Sequence, residues 1–305
     1  MKKLILLTLA VSAFGHSYAQ APVQATFEDG TILTYRVIDM TGDHQLANTI
    51  GLGSCSDDKS ISGFQLMFSR FDDNKYFASA DIAFSPGTGF KKFEAGGIYF
   101  LGAMKEKNYH LPANLKTVVI TRNMETHYIV RIDAVKNKHF GLHVEAGYGK
   151  YDVTNLAPTV GEHSYTVNSL SSPAIAVGLG YLSVKSGLMQ VENKVYMRGQ
   201  SLFTITGDIL LHPGINYAYT QTDTLPSTTL ESADFLHKGV GFQVFLTGQN
   251  TFTTHRKKTE PQGLIGLRWR IGVVKSIYAP ASSLVIGTNG MTIAADLGIM
   301  YTFGH

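Results

Sequence analysis

The residues best able to do chemistry lie at positions that an alternating, extended chain would gather on one face. They are Asp81, Arg131, Asp133, His143, Glu145, Glu192, Lys194, Arg198, Asp208, His212, Arg268, Arg270 and Asp296. Both signs are interleaved, and buried charges need partners, so the first chemistry open to the set is an internal network of ion pairs and hydrogen bonds. A second is selection of small solutes by a charged lining. The third is hydrolysis. If residues 137–139 form a three-residue hairpin loop, Asp133 falls opposite His143 with Cβ atoms about 4.5–5.5 Å apart. An acid orienting an imidazole is half of a hydrolase site, yet no inward Ser can be assigned beside this pair as nucleophile, and the sequence reads as non-catalytic. Asp208 and His212 also share a face, but four strand residues separate them by about 13 Å.

Other chemical motifs fail. There is no glycine-rich phosphate loop between strand and helix, no His-Glu-x-x-His and no paired cysteines for zinc, so no cofactor or metal is expected. Cys55 is the single cysteine and cannot form an internal disulfide. The run His255-Arg256-Lys257-Lys258 reads as a solvated turn rather than a phosphate clamp.

The elements that would position these side chains are strands. From Met291 to Phe303 the odd positions are apolar or small, and the even ones include Thr292, Asp296, Gly298 and Thr302. A period of two puts the two sets on opposite faces of a strand. Phe64, Leu66 and Phe68 share a face in one segment, and Tyr76, Ala78, Ala80, Ile82 and Phe84 share one in the next, after the turn at Asp72-Asp73-Asn74. Similar segments run near 91–103, 115–122, 127–136, 140–151, 173–184, 187–198, 201–219, 236–250, 263–275 and 290–303, giving about twelve strands. Pro213-Gly214 could split the longest, and with the N-terminal segment included the range becomes ten to fourteen. Hairpins read around 137–139 and 184–186 place Ile132 opposite Val144, Arg131 opposite Glu145, and Gly178 opposite Glu192. Asn193 is then a polar exception in an outward row, and Trp269 lies outward among Leu267 and Ile271.

The ends and the composition fit export. Lys2 and Lys3, an apolar run from Leu4 to Phe14 and Ser17-Tyr18-Ala19 read as a signal peptide over residues 1–19. No later segment has the roughly 18 apolar residues of a spanning helix. Removing the signal lowers the formal charge from +3 to +1, because Lys2 and Lys3 leave with no acid. So even a charge balance gives no basic field for nucleic acid. Gly at 31, Phe at 17 and Tyr at 15 of 305 residues favour a curved, closed sheet with aromatic girdles.

The closing alternation of Met291 to Phe303, which ends in Phe, resembles that of the outer-membrane β-barrels of Gram-negative bacteria. The resemblance implies an all-β fold, an antiparallel transmembrane β-barrel of about twelve strands over residues 61–305. Residues 20–60 then form a periplasmic or hairpin segment around the Asp29-Gly30 turn. It also implies location in the bacterial outer membrane, contact with outer-membrane lipid, and recognition of the C-terminal strand by the barrel-assembly machinery. The charged set becomes a lumen lining, with Asp296 expected to meet Arg268 or Arg270. Three roles follow: a narrow small-solute channel, a structural protein with an envelope protein partner, and a membrane-embedded hydrolase. A soluble secreted β-sandwich would show the same alternation, but the polar face here mixes glycine and alanine with a few long charges. The irregular stretches 153–172 and 221–235 are expected to be long outer loops.

Overall fold

The computed structural model describes residues 21–38, 48–57, 62–73, 75–85, 90–156, 159–160, 163–221, 229–231, 237–255, 263–278 and 291–303. The signal segment and the run 256–258 lie outside them, as do parts of the two long loops. The strands are β1 (Val23–Thr26), β2 (Ile32–Ile38), β3 (Asn48–Asp57), β4 (Ser62–Asp72), β5 (Tyr76–Phe84), β6 (Lys91–Thr121) and β7 (Met124–Leu156). They continue with β8 (Thr159–Val160), β9 (His163–Val191), β10 (Val195–Gln221), β11 (Thr229–Glu231), β12 (His237–His255), β13 (Gly263–Tyr278) and β14 (Met291–Phe303).

Ten of these strands close a ring in the order β3-β4-β5-β6-β7-β9-β10-β12-β13-β14, and the antiparallel pairing of β14 with β3 completes it. Closure removes the free edges that an open sheet would carry. Alternation then decides what each face meets. Leu52, Phe64, Leu142, Leu179, Ile209, Ile265 and Leu297 point outward and are exposed, while Gln65, Asp81, His143, Asp208 and Arg268 point inward and are buried. A two-sheet sandwich would bury its apolar rows against each other, and here those rows form one exposed belt around the ring. The sandwich alternative is thereby overturned.

The strand count settles at the lower bound of the expected range. β6 and β7, 31 and 33 residues long, each absorb two of the segments inferred from sequence, β9 and β10, 29 and 27 residues long, take up three between them, and β3, from within residues 20–60, adds one. Residues 137–139 are not a hairpin loop, because Asn137, Lys138 and His139 pair with both β6 and β9. Residues 184–186 are not one either, and Val184 is the direct partner of Asn137. Both polar runs mark the level at which the strands leave the apolar belt. A strand crossing that boundary changes composition as a turn does, without turning. Pro213-Gly214 likewise interrupts β10 as a bulge between His212 and Ile215, where proline can be accommodated. The real turn after β9 is at Glu192 and Asn193, with φ of 50° and 55°. Asn tolerates this left-handed region well, which accounts for the polar exception.

Beyond the belt, at the end of the ring where Asn48 pairs with Phe303, the sheet continues as an extension. β5 pairs with β6 up to Tyr99, so residues 101–121 of β6 pair with β7 alone. The β1–β2 hairpin joins the edge of β9 from Leu188 to Val191, where β7 has separated from it. Leu33 and Val37 of β2, Leu115, Tyr128 and Ile132 of the β6–β7 hairpin, and Met189 and Val191 of β9 then form a small buried core. Burying each such side chain contributes about 1.5–3 kcal/mol. The Tyr128 hydroxyl also donates to Asp29 Oδ2 at 2.6 Å, tying the Asp-Gly turn to β7.

Candidate functional site

The interior of the ring is built in two tiers. In the charged tier, Arg268 of β13 donates through both terminal nitrogens to Asp81 of β5, at 2.7 and 2.8 Å across the lumen. Arg270 donates to Glu94 of β6 at 2.8 Å and reaches Glu145 of β7 at 3.4 Å. Its guanidinium lies 3.8 Å from the centroid of the Phe245 ring, a cation-π contact that covers its flat face. His143 donates from Nδ1 to Asp208 Oδ1 at 2.8 Å, and Gln243 donates to Asp208 Oδ2 at 3.1 Å and to Glu145 at 3.4 Å. Lys92 adds a 2.7 Å contact to Glu94. Six of the ten ring strands therefore send side chains into one network, in which a two-toothed arginine-carboxylate pair is the strongest element.

The second tier is apolar and lies toward the end where the chain terminates. Phe71, Phe77, Ile98, Leu182, Val184 and Leu202 form a buried cluster inside the ring, with Phe100 packed on it. Below Phe100 the His139 ring stacks at 4.2 Å and donates from Nε2 to Asp73 at 3.0 Å, while Asn137 donates to both Asp73 oxygens. Burial opposes ionisation of Asp73, but these bonds outweigh it and hold the carboxyl below its usual range. The cavity bordered by Ile98, His143, Glu145, Thr206, Arg268 and Arg270 is about 30 Å³, close to the volume of a single water molecule.

The expected site residues divide into two groups. Asp81, His143, Glu145, Asp208, Arg268 and Arg270 meet in the charged tier, and Asp296 is the direct strand partner of Arg270. Arg198 and His212 are buried on the inward row of β10. Arg131 and Asp133 lie instead on the β6–β7 extension, exposed, and Asp133 Oδ1 lies 2.8 Å from His110 Nδ1. Glu192 and Lys194 sit in the exposed turn after β9. All four were displaced by the same misreading of a belt boundary as a loop. The Asp133–His143 pairing fails with them, and Asp208 is the acid that orients His143. Glu94 and the apolar tier went unforeseen. Glu94 stands between Phe93 and Ala95 in plain alternation, a signal that could have found it. Leu182 and Val184 gave none, since inward aliphatics break the rule that the inward face is polar.

Fold and interior together define a closed antiparallel β-barrel with an apolar outer belt and, among the described residues, an interior holding buried ion pairs and an apolar cluster. No family model matches the chain, and no curated protein matches it. Among solved structures it is similar to an anion-selective porin from Comamonas acidovorans, with 11% identity over 85% of this chain and 99% of that one at a TM-score of 0.17. It is also similar to the outer-membrane expressed OmpT of Vibrio cholerae, with 9% identity over 85% and 97% of the two chains and the same TM-score of 0.17. Those scores are too low for a shared chain path, so the barrel is established by its own ring of strand pairings.

Proposed function

We propose that this chain is an outer-membrane barrel whose lumen is closed by its own side chains, and that its role is structural or interactive rather than permeation or catalysis. The observation that carries the reading is the filled interior, a bidentate Arg268–Asp81 pair above a dry apolar cluster, with a cavity of about 30 Å³ between them. A hydrated ion needs a continuous wet path, and at the aliphatic tier Gln249, the ladder partner of Leu202, is held in a hydrogen bond to Ser69 at 3.2 Å beside the apolar cluster. Membrane placement draws on the exposed apolar belt, and β14 would serve as the strand that the assembly machinery reads. The enzyme alternative loses support for the same reason as the channel. His143 and Asp208 have the geometry of an acid-oriented imidazole, but their side chains are 8% and 0% exposed, leaving a substrate no approach. The extension, with Val119, Ile120 and Met124 exposed at its tip, is the surface we assign to an envelope partner.

Planar-bilayer recording tests this directly. The full chain reconstituted in a lipid bilayer is expected to show no steady single-channel conductance. Reproducible openings that disappear when Arg268 is replaced would establish permeation instead.

A further inference from the structure

A basic cluster lies on the outward face between the apolar belt and the core of the extension. Lys136 of β7 and Lys185 of β9 are direct ladder partners, and their ammonium groups stand 4.8 and 5.9 Å from the centroid of the Tyr109 ring. Lys138 follows two residues on, on the same face and next to the outward Phe140. Glu106 forms ion pairs with Lys136 at 2.8 Å and with Lys138 at 2.9 Å. One carboxylate neutralises one of three ammonium groups. Like charges directly opposite each other on a sheet destabilise it unless an anion joins them, and Lys185 has no carboxylate partner among the described residues.

The level of the cluster says what that anion is. Toward the middle of the barrel the same face carries Phe140, Leu142 and Leu179, all more than 40% exposed, so the lysines stand where a bilayer's hydrocarbon gives way to its headgroups. Long lysine stems lie along apolar surface and place their charge at that border. We propose that Lys136, Lys138 and Lys185 bind the phosphate of an anionic phospholipid in the leaflet on the C-terminal side of the barrel, with its acyl chains against the belt. The proposal depends on the membrane reading above.

The test uses the full chain in bilayers of phosphatidylcholine doped with phosphatidylglycerol, with lipids retained after extraction identified by native mass spectrometry. The wild type is expected to retain phosphatidylglycerol above its bulk share. Retention should fall about fivefold or more in a Lys136→Gln/Lys185→Gln variant. It should persist in Lys136→Arg/Lys185→Arg and in Lys275→Gln, whose lysine lies at the opposite end of β13. Equal retention of the two lipids, an unaffected glutamine variant, or displacement by inorganic phosphate would each overturn the proposal, the last by marking a free-anion site. Insertion is read separately from the difference in gel mobility between unheated and heated samples. A wild type that fails to insert overturns the membrane reading and the lipid site together, whereas one that inserts without lipid preference overturns the site alone.

Discussion

Arg268 shows how a single residue here depends on its partner. Its guanidinium and the Asp81 carboxylate are both almost fully buried, so each is tolerable because the other is there. Replacing Arg268 by Leu leaves the buried Asp81 carboxylate with only a 3.8 Å contact to Arg270, and is expected to destabilise the barrel by up to about 3–5 kcal/mol. Replacing both partners by aliphatic residues of similar volume should recover most of that loss. Urea midpoints of the gel-mobility shift in detergent would measure both, and a double variant no better than the single one would refute the pairing argument. The charge at position 268 is visible in the sequence, and so is its inward phase. Its partner is not, because Asp81 and Arg268 are 187 residues apart and reach each other across the lumen rather than along a hairpin.

Among the elements, the N-terminal hairpin is held by contacts whose strength depends on pH. Asp29 lies below its ordinary value of 3.8 chiefly because the Tyr128 hydroxyl donates to it, with the Thr31 backbone amide as a second donor. A depressed carboxyl stabilises the folded arrangement above its unfolded value, and that contribution is lost as pH falls through the folded one. The attachment of β1–β2 should therefore be unchanged from neutral pH down to about 4 and weaken below it. Acid protease digestion near pH 3 should release the hairpin earlier than digestion at pH 5, and Tyr128→Phe should abolish that difference. A release rate independent of pH in the wild type would remove Asp29 from the account. The Asp29-Gly30 turn itself is legible from sequence, since Gly30 supplies the φ of +79° that it needs. Its docking on Tyr128, 99 residues downstream, is not.

At the scale of the whole molecule, stability depends on closure. β3 is the strand that joins β14 to β4, with ten pairs to one and nine to the other. Deleting residues 48–57 would leave two open edges, each a row of unpaired backbone N–H and C=O groups. That variant should show no heat-dependent mobility shift, whereas deletion of β1 and β2 should retain one. By itself the sequence determined the class of fold and the phase of β4, β5, β13 and β14, because a period of two needs nothing beyond the neighbours in the chain. It also placed most of the charged tier on the inward face. Strand lengths were decided by tertiary structure, since a polar run can mean a turn or a strand leaving an apolar belt, and only the pairing of Asn137 with Val184 distinguishes them. The choice between open and closed lumen was tertiary as well. Alternation says which side chains point inward, but whether they meet depends on the ring's strand number and on inward aliphatics such as Leu182 and Val184, whose burial in the lumen arises only once ten strands have closed around them.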